Sequence, residues 1–301
     1  MNKKKAERLG ELLILCEVLV YALFPIVVNY TTKLMPPILF AGLSSIMAGV
    51  ALFKYLLIKK QLSKLKNIQA LKYILAVTLF VIIIPSIFIF IGTSKTSGIN
   101  TTILLQTEIL FAFLICGIFV GEKITLQKIG GAVMVVIGAV AILYNGTLHI
   151  NGGDLLIIAG TFFFPIGNIY AKKALKLTTP AVILFVRSFL GGMILVFISL
   201  LFENYQASFP GYFMDNFKFI LLNGALIYGL SRLFFYEGLK RLDISKATSL
   251  AMSYPAFSLF YSYIFLKEIP TIFQWIGFII IFFGILILTY KGKTAVFIEI
   301  E

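Results

Sequence analysis

The feature that most constrains the fold of this 301-residue chain is a series of ten apolar stretches. Each is roughly 18 or more residues long, and at about 1.5 Å of rise per residue a helix of that length crosses a hydrocarbon layer of about 30 Å. Because lipid offers the backbone no hydrogen-bond partners, each stretch is predicted to be a helix. The predicted spans, numbered 1 to 10 in chain order, are Leu12–Tyr30, Pro37–Ile58, Leu71–Ile91, Ser97–Val120, Gln127–Tyr144, Leu155–Leu175, Pro180–Phe202, Phe217–Tyr236, Ser245–Leu266 and Ile272–Tyr290.

The composition excludes an ordinary soluble domain. Hydrophobic residues make up 60% of the chain and charged residues 13%, with a mean hydropathy of +1.00. One soluble core cannot bury that much apolar surface. The alternation of apolar and polar residues that a membrane barrel needs is absent from the stretches. The predicted fold class is therefore an all-α integral membrane protein with ten transmembrane helices.

The basic residues indicate the orientation of the helices. If the amino terminus is cytoplasmic, twenty Lys and Arg residues fall in inner segments, four fall in outer segments, and Arg187 and Arg232 lie within spans. This bias predicts a plasma or inner membrane protein with both termini in the cytoplasm. The net charge of +13 fits an anionic inner leaflet. Nucleic acid is not an expected partner, because the basic residues are scattered over six short segments.

The chain also repeats itself. An offset of 146 residues aligns Gly92–Tyr144 with Gly238–Tyr290 without a gap, and Phe24-Pro25-Ile26 recurs as Phe164-Pro165-Ile166. Apolar composition inflates coincidences among Leu, Ile and Phe, but other identities are harder to dismiss. They include Thr102 with Thr248, Glu122 with Glu268, Gly131 with Gly277, Gly138 with Gly284 and Tyr144 with Tyr290.

The repeat and the topology together predict two inverted five-helix halves, residues 1–147 and 148–301, within one membrane domain. Five is an odd number, so the second half enters the membrane from the side opposite to the first. Glu122 then closes span 4 on the inside, and Glu268 closes span 9 on the outside. Two inverted bundles around a shared midplane site have the geometry that alternating access requires. This arrangement fits a channel less well and an enzyme poorly.

Two parts of the sequence carry a family resemblance. The stretch from Gly92 to Glu108, followed by Gly121-Glu122, and its second copy with Tyr254-Pro255 and Lys267-Glu268 resemble the signature of the EamA-type family of the drug/metabolite transporter superfamily. The resemblance covers the whole chain. It implies ten spans in two halves, and export or exchange of small polar or amphipathic solutes such as amino acids. Members of similar sequence carry different substrates, so the resemblance names none.

Two positions depart from the family pattern. Arg187 stands early in span 7, where the first half has Ser44. The Trp-Gly pair that is often found in the family's first span is missing, and the region Ala22–Pro25 occupies its place. Both departures fall where a cavity is expected, so they bear on the substrate.

Ionisable side chains are costly in lipid and are therefore expected to face a cavity or a partner. Glu108 lies about 11 residues into span 4, near the bilayer centre, with Gln106 two residues before it. Glu17, Arg187 and Arg232 lie nearer the ends of spans 1, 7 and 8, where snorkelling or a static ion pair is the alternative to a cavity role. For Glu108 the alternative is a fixed hydrogen-bonded strut. A buried, neutral Glu108 is also a candidate to load a coupling proton.

Polar and aromatic residues recur at matching depths in the two halves. Tyr30 follows Phe-Pro-Ile in span 1, Asn168 and Tyr170 follow it in span 6, and Tyr254 aligns with Glu108 in the repeat. We therefore expect Glu108 and Tyr254 to approach each other near the midplane, with Tyr30 toward the outside and Tyr170 toward the cytoplasm. The predicted cavity lies between spans 1, 3 and 4 and spans 6, 8 and 9, and its predicted lining is Glu108, Gln106, Asn168, Tyr170, Arg232, Tyr254 and Tyr30.

The prolines inside the spans have two possible interpretations, and so do the aromatic residues. Pro25, Pro85, Pro165 and Pro255 lie inside spans and predict bends beside the cavity, or kinks that neighbouring helices satisfy. The 30 Phe and 14 Tyr residues supply material for an aromatic box around a cation or an aromatic solute. They are equally typical of lipid-facing and interfacial positions.

The sequence gives no sign of a cofactor, a metal site or a catalytic centre. His149 is the single histidine, and Cys16 and Cys116 both lie within spans. A phosphate-binding Gly-Lys loop and a Gly-x-Ser-x-Gly motif are both absent. The expected partners are a small solute and membrane lipid, and a homodimer through Gly117 and Gly121 is open.

These observations predict a secondary transporter, an exporter or exchanger of a small polar or amphipathic metabolite such as an amino acid, working by alternating access. The first alternative is an uncoupled facilitator or channel for small solutes. The second is a membrane scaffold or sensor, which would need an added soluble region. The longest stretch outside the spans, Glu203–Asn216, is too short for one.

Overall fold

The computed structural model describes residues 3–115, 117, 125–144, 151–205, 209–239, 241–242, 250–251 and 253–289. Within these ranges all regular secondary structure is helical. The helices that are long and apolar enough to cross a membrane are Lys5–Thr31, Pro37–Ile58, Ile68–Ser94, Gly98–Ile115, Leu126–Tyr144, Gly152–Leu175, Pro180–Phe202 and Phe217–Leu239. They correspond to predicted spans 1 to 8. The prediction of an all-α membrane protein is confirmed.

The last two predicted spans are matched only in part. In span 10 the apolar helix Ile272–Leu288 is shorter than the other eight. Predicted span 9 begins outside the described residues, and its described part comprises the helical segments Tyr254–Tyr261 and Ser262–Leu266. The number of ten spans therefore stays a prediction. Other sequence predictions also fall outside the described residues, namely those on Cys116, Gly121, Glu122, His149 and the boundary between the two halves.

Several spans consist of consecutive helical segments rather than one continuous helix. Spans 2, 5 and 7 run continuously as Pro37–Ile58, Leu126–Tyr144 and Pro180–Phe202, and the last helix is Ile272–Thr289. The segments of the interrupted spans are Lys3–Tyr21 and Phe24–Thr31; Ile68–Val77, Thr78–Ile83 and Ile84–Ser94; Gly98–Leu104 and Thr107–Ile115; Gly152–Thr161 and Phe163–Leu175; and Phe217–Leu221, Leu222–Ser231 and Arg232–Leu239. Two short helices, Leu62–Lys66 and Phe209–Asp215, lie between spans.

Four of these interruptions fall next to the prolines inside the spans. Pro25, Pro85 and Pro255 each occupy the first turn of the segment that follows a break, and Pro165 lies at the third position of its segment. In the first turn a missing N–H leaves no intrahelical hydrogen bond unmade, so proline is tolerated there. The prolines therefore mark the places where the spans change direction or pitch.

Spans 5 and 10 pack closely through a pair of glycine contacts. A Cβ added to Gly131 would lie 2.8 Å from the carbonyl oxygen of Gly284, and one added to Gly284 would lie 2.8 Å from that of Gly131. Gly138 and Gly277 meet in the same reciprocal way, also at 2.8 Å. No real Cβ fits at that distance from a carbonyl oxygen, so the approach of these helices depends on glycine at all four positions.

Two glutamates bind the starts of helices in the opposite half of the chain. Oε1 and Oε2 of Glu268 accept hydrogen bonds from the backbone N–H groups of Gly98 and Ile99, each at 3.0 Å. Glu203 accepts hydrogen bonds from the N–H groups of Ile38 and Leu39, at 2.8 and 2.9 Å. A carboxylate at this position satisfies donors that the helix itself leaves free. Each contact thereby connects one half of the chain to the other.

A largely buried polar network joins spans 1, 4, 6 and 10 and the turn between spans 3 and 4, at the ends that are predicted to face outside. The Asn29 amide donates to the carbonyl oxygen of Thr96 at 2.8 Å, and the Thr96 hydroxyl donates to Asp154 at 2.5 Å. Asn100 donates to Asp154 at 3.0 Å and accepts from the Gln274 amide at 2.7 Å. We call these five residues the outer network. Its members satisfy one another's polar groups, as a buried cluster requires.

Candidate functional site

A cavity lies among spans 1, 3, 4, 6, 7 and 8. Its volume is about 60 Å³. Its walls combine aromatic rings and apolar side chains with two guanidinium groups and two serine hydroxyls. They are Tyr21, Phe24, Val81, Ile82, Ser86, Ile89, Phe90, Leu105, Phe164, Arg187, Ser188, Tyr228 and Arg232. Mostly apolar walls with a few polar groups are typical of a small-molecule site.

Arg232 is held by two residues of span 1. Its Nη1 lies 3.4 Å from Oε1 of Glu17, and its Cζ lies 3.8 Å from the centre of the Tyr21 ring. The Glu17 side chain is 3% exposed and the Arg232 side chain 29% exposed, so the arginine is the more accessible partner. An ion pair and a cation–π contact together offset much of the cost of placing this charge within a span. The ion pair considered from the sequence is present, but it does not exclude a cavity role, because Arg232 also lines the cavity.

Arg187 has a different environment, although it lines the same cavity. Within the part of the chain that the structure describes, its Nε is buried without a hydrogen-bond partner. The groups with which it interacts electrostatically are Arg232 and three tyrosines, Tyr21, Tyr228 and Tyr236. Among the described residues it has no ion pair, so that alternative does not apply to Arg187.

Glu108 lies beside the cavity rather than among its lining residues. Its side chain is half-buried, its Oε1 accepts a long hydrogen bond of 3.4 Å from the Asn168 amide, and it interacts electrostatically with Arg232. Asn168 is exposed, so this end of the site is more open than the region around Glu17. The 3.4 Å bond is too long to hold Glu108 firmly, which is a weak basis for a purely structural strut.

Gln106 connects span 4 to the helical segment Tyr254–Tyr261 of predicted span 9. Its amide Nε2 donates to the hydroxyl of Tyr254 at 2.5 Å, and the Tyr254 ring meets the edge of the Tyr21 ring with centroids 5.1 Å apart. Tyr254 and Glu108 interact electrostatically. The structure therefore brings together Gln106, Tyr254 and Glu108, with Gln106 making the direct contact.

Tyr30 and Tyr170 lie away from this cluster. Tyr30 is 45% exposed and packs against Phe219, with ring centroids 5.1 Å apart. Tyr170 stacks on Phe80 at 6.2 Å, and the Nζ of Lys173 lies 5.5 Å from its ring centre. Of the seven residues predicted from the sequence, Arg232 lines the cavity. Four others, Glu108, Gln106, Asn168 and Tyr254, lie next to the cavity or next to Arg232. Tyr30 and Tyr170 neither line the cavity nor lie next to Arg232.

Several lining residues were not predicted from the sequence, although residue spacing indicated some of them. Tyr21 follows Glu17 by four residues, and Arg232 follows Tyr228 by four. Residues at this spacing share a helix face, so each charged residue pointed to an aromatic neighbour. Ser188 next to Arg187 had no such signal. The predicted cavity also included span 9, whereas the observed lining comes from span 7 instead.

Comparison with known proteins identifies the family. The sequence model of the EamA-like transporter family matches residues 8–144 and again residues 151–290. The chain belongs to the EamA-like transporter family. Membership, with the eight apolar helices, makes it a multi-pass integral membrane protein of a transporter family rather than a member of an enzyme family.

Individual relatives are similar along most of their length. An uncharacterized transporter of Methanothermobacter thermautotrophicus is 25% identical over 237 residues, which are 77% of this chain and 68% of that protein. The uncharacterized transporter YoaV of Bacillus subtilis is 25% identical over 266 residues, 85% of this chain and 88% of YoaV. A solved crystal structure shares the fold with a TM-score of 0.64 at 16% identity, covering 92% of this chain and 95% of that one.

Proposed function

We propose that the protein is a secondary transporter that exports or exchanges a small polar or amphipathic metabolite, such as an amino acid, by alternating access. The observation that carries the proposal is a cavity that contains two guanidinium groups and whose lining comes from both predicted halves of the chain. A site between two halves is where rocking of one half against the other changes access. Charges within membrane spans are costly and are retained where they act on a solute or an ion.

We further propose ten spans in two inverted five-helix repeats, residues 1–147 and 148–301. The two matches of one family model, to residues 8–144 and 151–290, support two repeats. The glycine contacts support the inversion. Gly131 and Gly138 align with Gly277 and Gly284 at the offset of 146, and Gly131 meets Gly284 while Gly138 meets Gly277. Such an exchange of partners is the signature of a two-fold axis between two like surfaces.

A second exchange of contacts supports the same axis. A Cβ added to Gly92 in span 3 would lie 2.9 Å from the Ile157 side chain of span 6. One added to Gly238, the repeat equivalent of Gly92, would lie 2.6 Å from the Ile14 side chain of span 1. Spans 3 and 6 thus pack as spans 8 and 1 do, which is expected if spans 1 and 6, and spans 3 and 8, are equivalent.

The polar groups suggest which side is closed. The outer network is hydrogen-bonded and mostly buried at one end of the spans, whereas Asn168, which bonds Glu108 deeper in the membrane, is exposed. With both termini in the cytoplasm of an inner or plasma membrane, the closed end is the outer one. We propose that opening this network releases solute to the outside and that the cavity loads from the cytoplasm.

The proposed binding residues are Glu108, Gln106, Asn168, Arg232 and Tyr254. Tyr170 and Tyr30 lie away from the cavity, so we propose for them roles in entry from the cytoplasm and release to the outside. Glu108 is the candidate for proton coupling, because its hydrogen bond comes from the neutral Asn168 amide, whereas Glu17 is paired with the Arg232 guanidinium group. The groups that face it are Asn168 of span 6, Arg232 of span 8, and Tyr21 and Tyr254 of spans 1 and 9. Protonation of Glu108 would change the charge next to Arg232, and hence the attraction between spans 4 and 8.

Counterflow into liposomes tests the proposed function. Purified protein is reconstituted in vesicles that are loaded with unlabelled amino acids and small organic acids, and accumulation of the same labelled solutes is followed by mass spectrometry. A transporter accumulates a subset of solutes transiently above equilibrium, and an imposed pH gradient sustains accumulation if protons are coupled. Arg232→Gln should lose the activity, and Arg241→Gln, outside the cavity lining, should keep it. Uptake no greater than in protein-free vesicles would refute transport; accumulation that ignores the pH gradient would favour the uncoupled facilitator.

A further inference from the structure

We propose that Arg187 is the anchor of an anion-binding subsite and that the solute is an organic carboxylate with an apolar, ring-containing body. The inference rests on the proposed transport function and narrows its substrate class. It comes from the unequal environments of the two arginines in the cavity. One guanidinium group is already paired, and the other is not.

The charge balance of the cavity favours an anion. Arg232 has Glu17 as its carboxylate partner at 3.4 Å, whereas Arg187 has no ion pair within the described residues. Among the described residues that line the cavity there is no carboxylate, and Glu108, beside the cavity, faces Arg232 rather than Arg187. The lining therefore carries a positive charge that remains without a counter-ion at Arg187. A half-buried cation without a counter-ion is unfavourable until an anion binds beside it, so part of the free energy of binding comes from relieving that state.

The hydrogen-bonding groups near Arg187 suit a carboxylate. A guanidinium group is planar and donates two parallel hydrogen bonds that match the two oxygens of a carboxylate. Nε, one of the donors in that fork, is the atom of Arg187 that is buried and unsatisfied. The hydroxyl groups of Ser188 and Ser86 line the same cavity and are further donors for an anion.

The other residues that line the cavity determine which apolar part of a solute fits there. Phe24, Phe90 and Phe164, with Tyr21 and Tyr228, give the cavity five aromatic rings. Phe24 lies between Tyr21 and Tyr228, with ring centroids 5.8 and 5.6 Å away. Rings so placed favour a flat, apolar solute by stacking and edge contacts. A free ammonium group is disfavoured, since no described residue of the lining is a carboxylate and Glu108, outside the lining, already faces Arg232. A carboxylate without an amine is therefore a better fit than a zwitterionic amino acid.

Four compounds that share one ring but differ in charge test this inference. They are phenylacetate, phenylacetamide, 2-phenylethylamine and phenylalanine, and binding is measured by the shift in thermal unfolding of the purified full-length protein. Phenylacetate should raise the unfolding temperature and the other three should do so much less. The inference is wrong if the amide or the amine binds as well as phenylacetate, or if phenylacetate does not bind at all.

Variants show whether Arg187 is responsible. Arg187→Gln should weaken phenylacetate binding by about ten- to hundredfold, the range expected for losing hydrogen bonds to a charged group. Arg187→Lys should keep part of the affinity. The matched control is Arg241→Gln, because Arg241 is paired with Glu237 at 2.9 Å and does not line the cavity. Without ligand, Arg187→Gln should unfold at the wild-type temperature or above it, since it removes a half-buried charge that has no ion pair among the described residues. Unchanged affinity in Arg187→Gln would overturn the assignment.

The two proposals fail in different ways. If the labelled solute mixture shows counterflow but phenylacetate neither binds nor competes, the transport function stands and the anion subsite is wrong. If phenylacetate binds through Arg187 but no solute shows counterflow, the subsite stands and the transport function is wrong.

Discussion

The Nη1 atom of Arg232 in span 8 lies 3.4 Å from Oε1 of Glu17 in span 1. The pair joins the two predicted halves of the chain at the wall of the cavity. Because the carboxylate is almost fully buried and the guanidinium group is partly exposed, each charge depends on the other for its place inside the span. The pair is therefore a structural contact between the halves and also sets the charge of the site.

We predict that Glu17→Gln destabilises the protein because it leaves Arg232 without its carboxylate. The expected loss is about 1–3 kcal/mol, between the values for surface and buried pairs, and it is measured by thermal unfolding in detergent. The double variant Glu17→Gln/Arg232→Gln should recover part of the loss. Glu237→Gln, which alters the more exposed pair with Arg241, is the control and should cost less than about 1 kcal/mol. A double variant that is less stable than both single ones would contradict this account.

We predict that Glu108→Gln separates binding from coupling. Glutamine keeps the shape and most hydrogen bonds of Glu108 but carries neither the charge nor the titratable proton. If Glu108 loads the coupling proton, the variant should still exchange solute in counterflow yet no longer respond to an imposed pH gradient. The comparison is made with Glu17→Gln, which removes a carboxylate that is already paired. Uphill transport with an unchanged pH profile in Glu108→Gln would leave Glu108 as a structural residue.

We predict opposite effects for two adjacent glycines of span 5. Gly131→Ala places a methyl group 2.8 Å from the carbonyl oxygen of Gly284, so spans 5 and 10 must separate and unfolding should become easier by about 1–3 kcal/mol. At Gly130 nothing lies within 4 Å of an added Cβ. Gly130→Ala should therefore be neutral or stabilising by up to about 1 kcal/mol, the helix propensity difference. Equal effects on thermal unfolding would mean that the close approach of the two helices is not needed.

The sequence was sufficient to predict spans 1 to 8 because crossing a membrane imposes one dominant requirement. A helix must be long and apolar, and that requirement is visible residue by residue. The same logic made Glu17, Glu108, Arg187 and Arg232 stand out, since each is costly in lipid. Three of these four contact one another or line the cavity in the structure, and Glu108 lies beside them.

The choice of lining residues could not be read in the same way, because it depends on how each helix is rotated. The four-residue spacing places Tyr21 with Glu17 and Tyr228 with Arg232 on one helix face, but whether that face points into the cavity is set by packing. The breaks add to the difficulty. The segment Leu222–Ser231 is wound as a π-helix just before Arg232, and span 1 is interrupted after Tyr21. A π-helical turn holds more residues than an α-turn, so it rotates the following side chains away from the face that regular spacing predicts.

Tyr30 and Tyr170 illustrate the opposite case, because they were predicted from the sequence to line the cavity and do not line it. Their depth was predicted from the repeated Phe-Pro-Ile, and depth alone made them candidates. In the structure each tyrosine packs against an aromatic neighbour, Phe219 or Phe80, outside the cavity lining. Equivalent positions in a repeat share a depth and a local backbone, but the direction of a side chain also depends on which neighbours fill the space around it.

The internal repeat also predicts a contact for Glu122, which lies outside the described residues. Glu268 accepts hydrogen bonds from the N–H groups of Gly98 and Ile99 at the start of span 4. At the offset of 146, Glu122 is the equivalent of Glu268, and Ile244 and Ser245 are the equivalents of Gly98 and Ile99. If the halves are equivalent, the Glu122 carboxylate receives the N–H groups at the start of span 9. Glu122→Ala and Glu268→Ala should then destabilise the protein by similar amounts, about 1–2 kcal/mol each, as loss of a helix cap does.

The control for this pair is Asp215→Ala, an exposed carboxylate at the end of a short helix, which should change stability by less than about 0.5 kcal/mol. Glu122→Gln and Glu268→Gln should each be milder than the alanine variants, because the amide oxygen still accepts one hydrogen bond. Thermal unfolding of the five purified variants gives the comparison. A cost for Glu268→Ala with none for Glu122→Ala would show that the two halves do not repeat this contact, and the proposed two-fold relation would then rest on the glycine contacts alone.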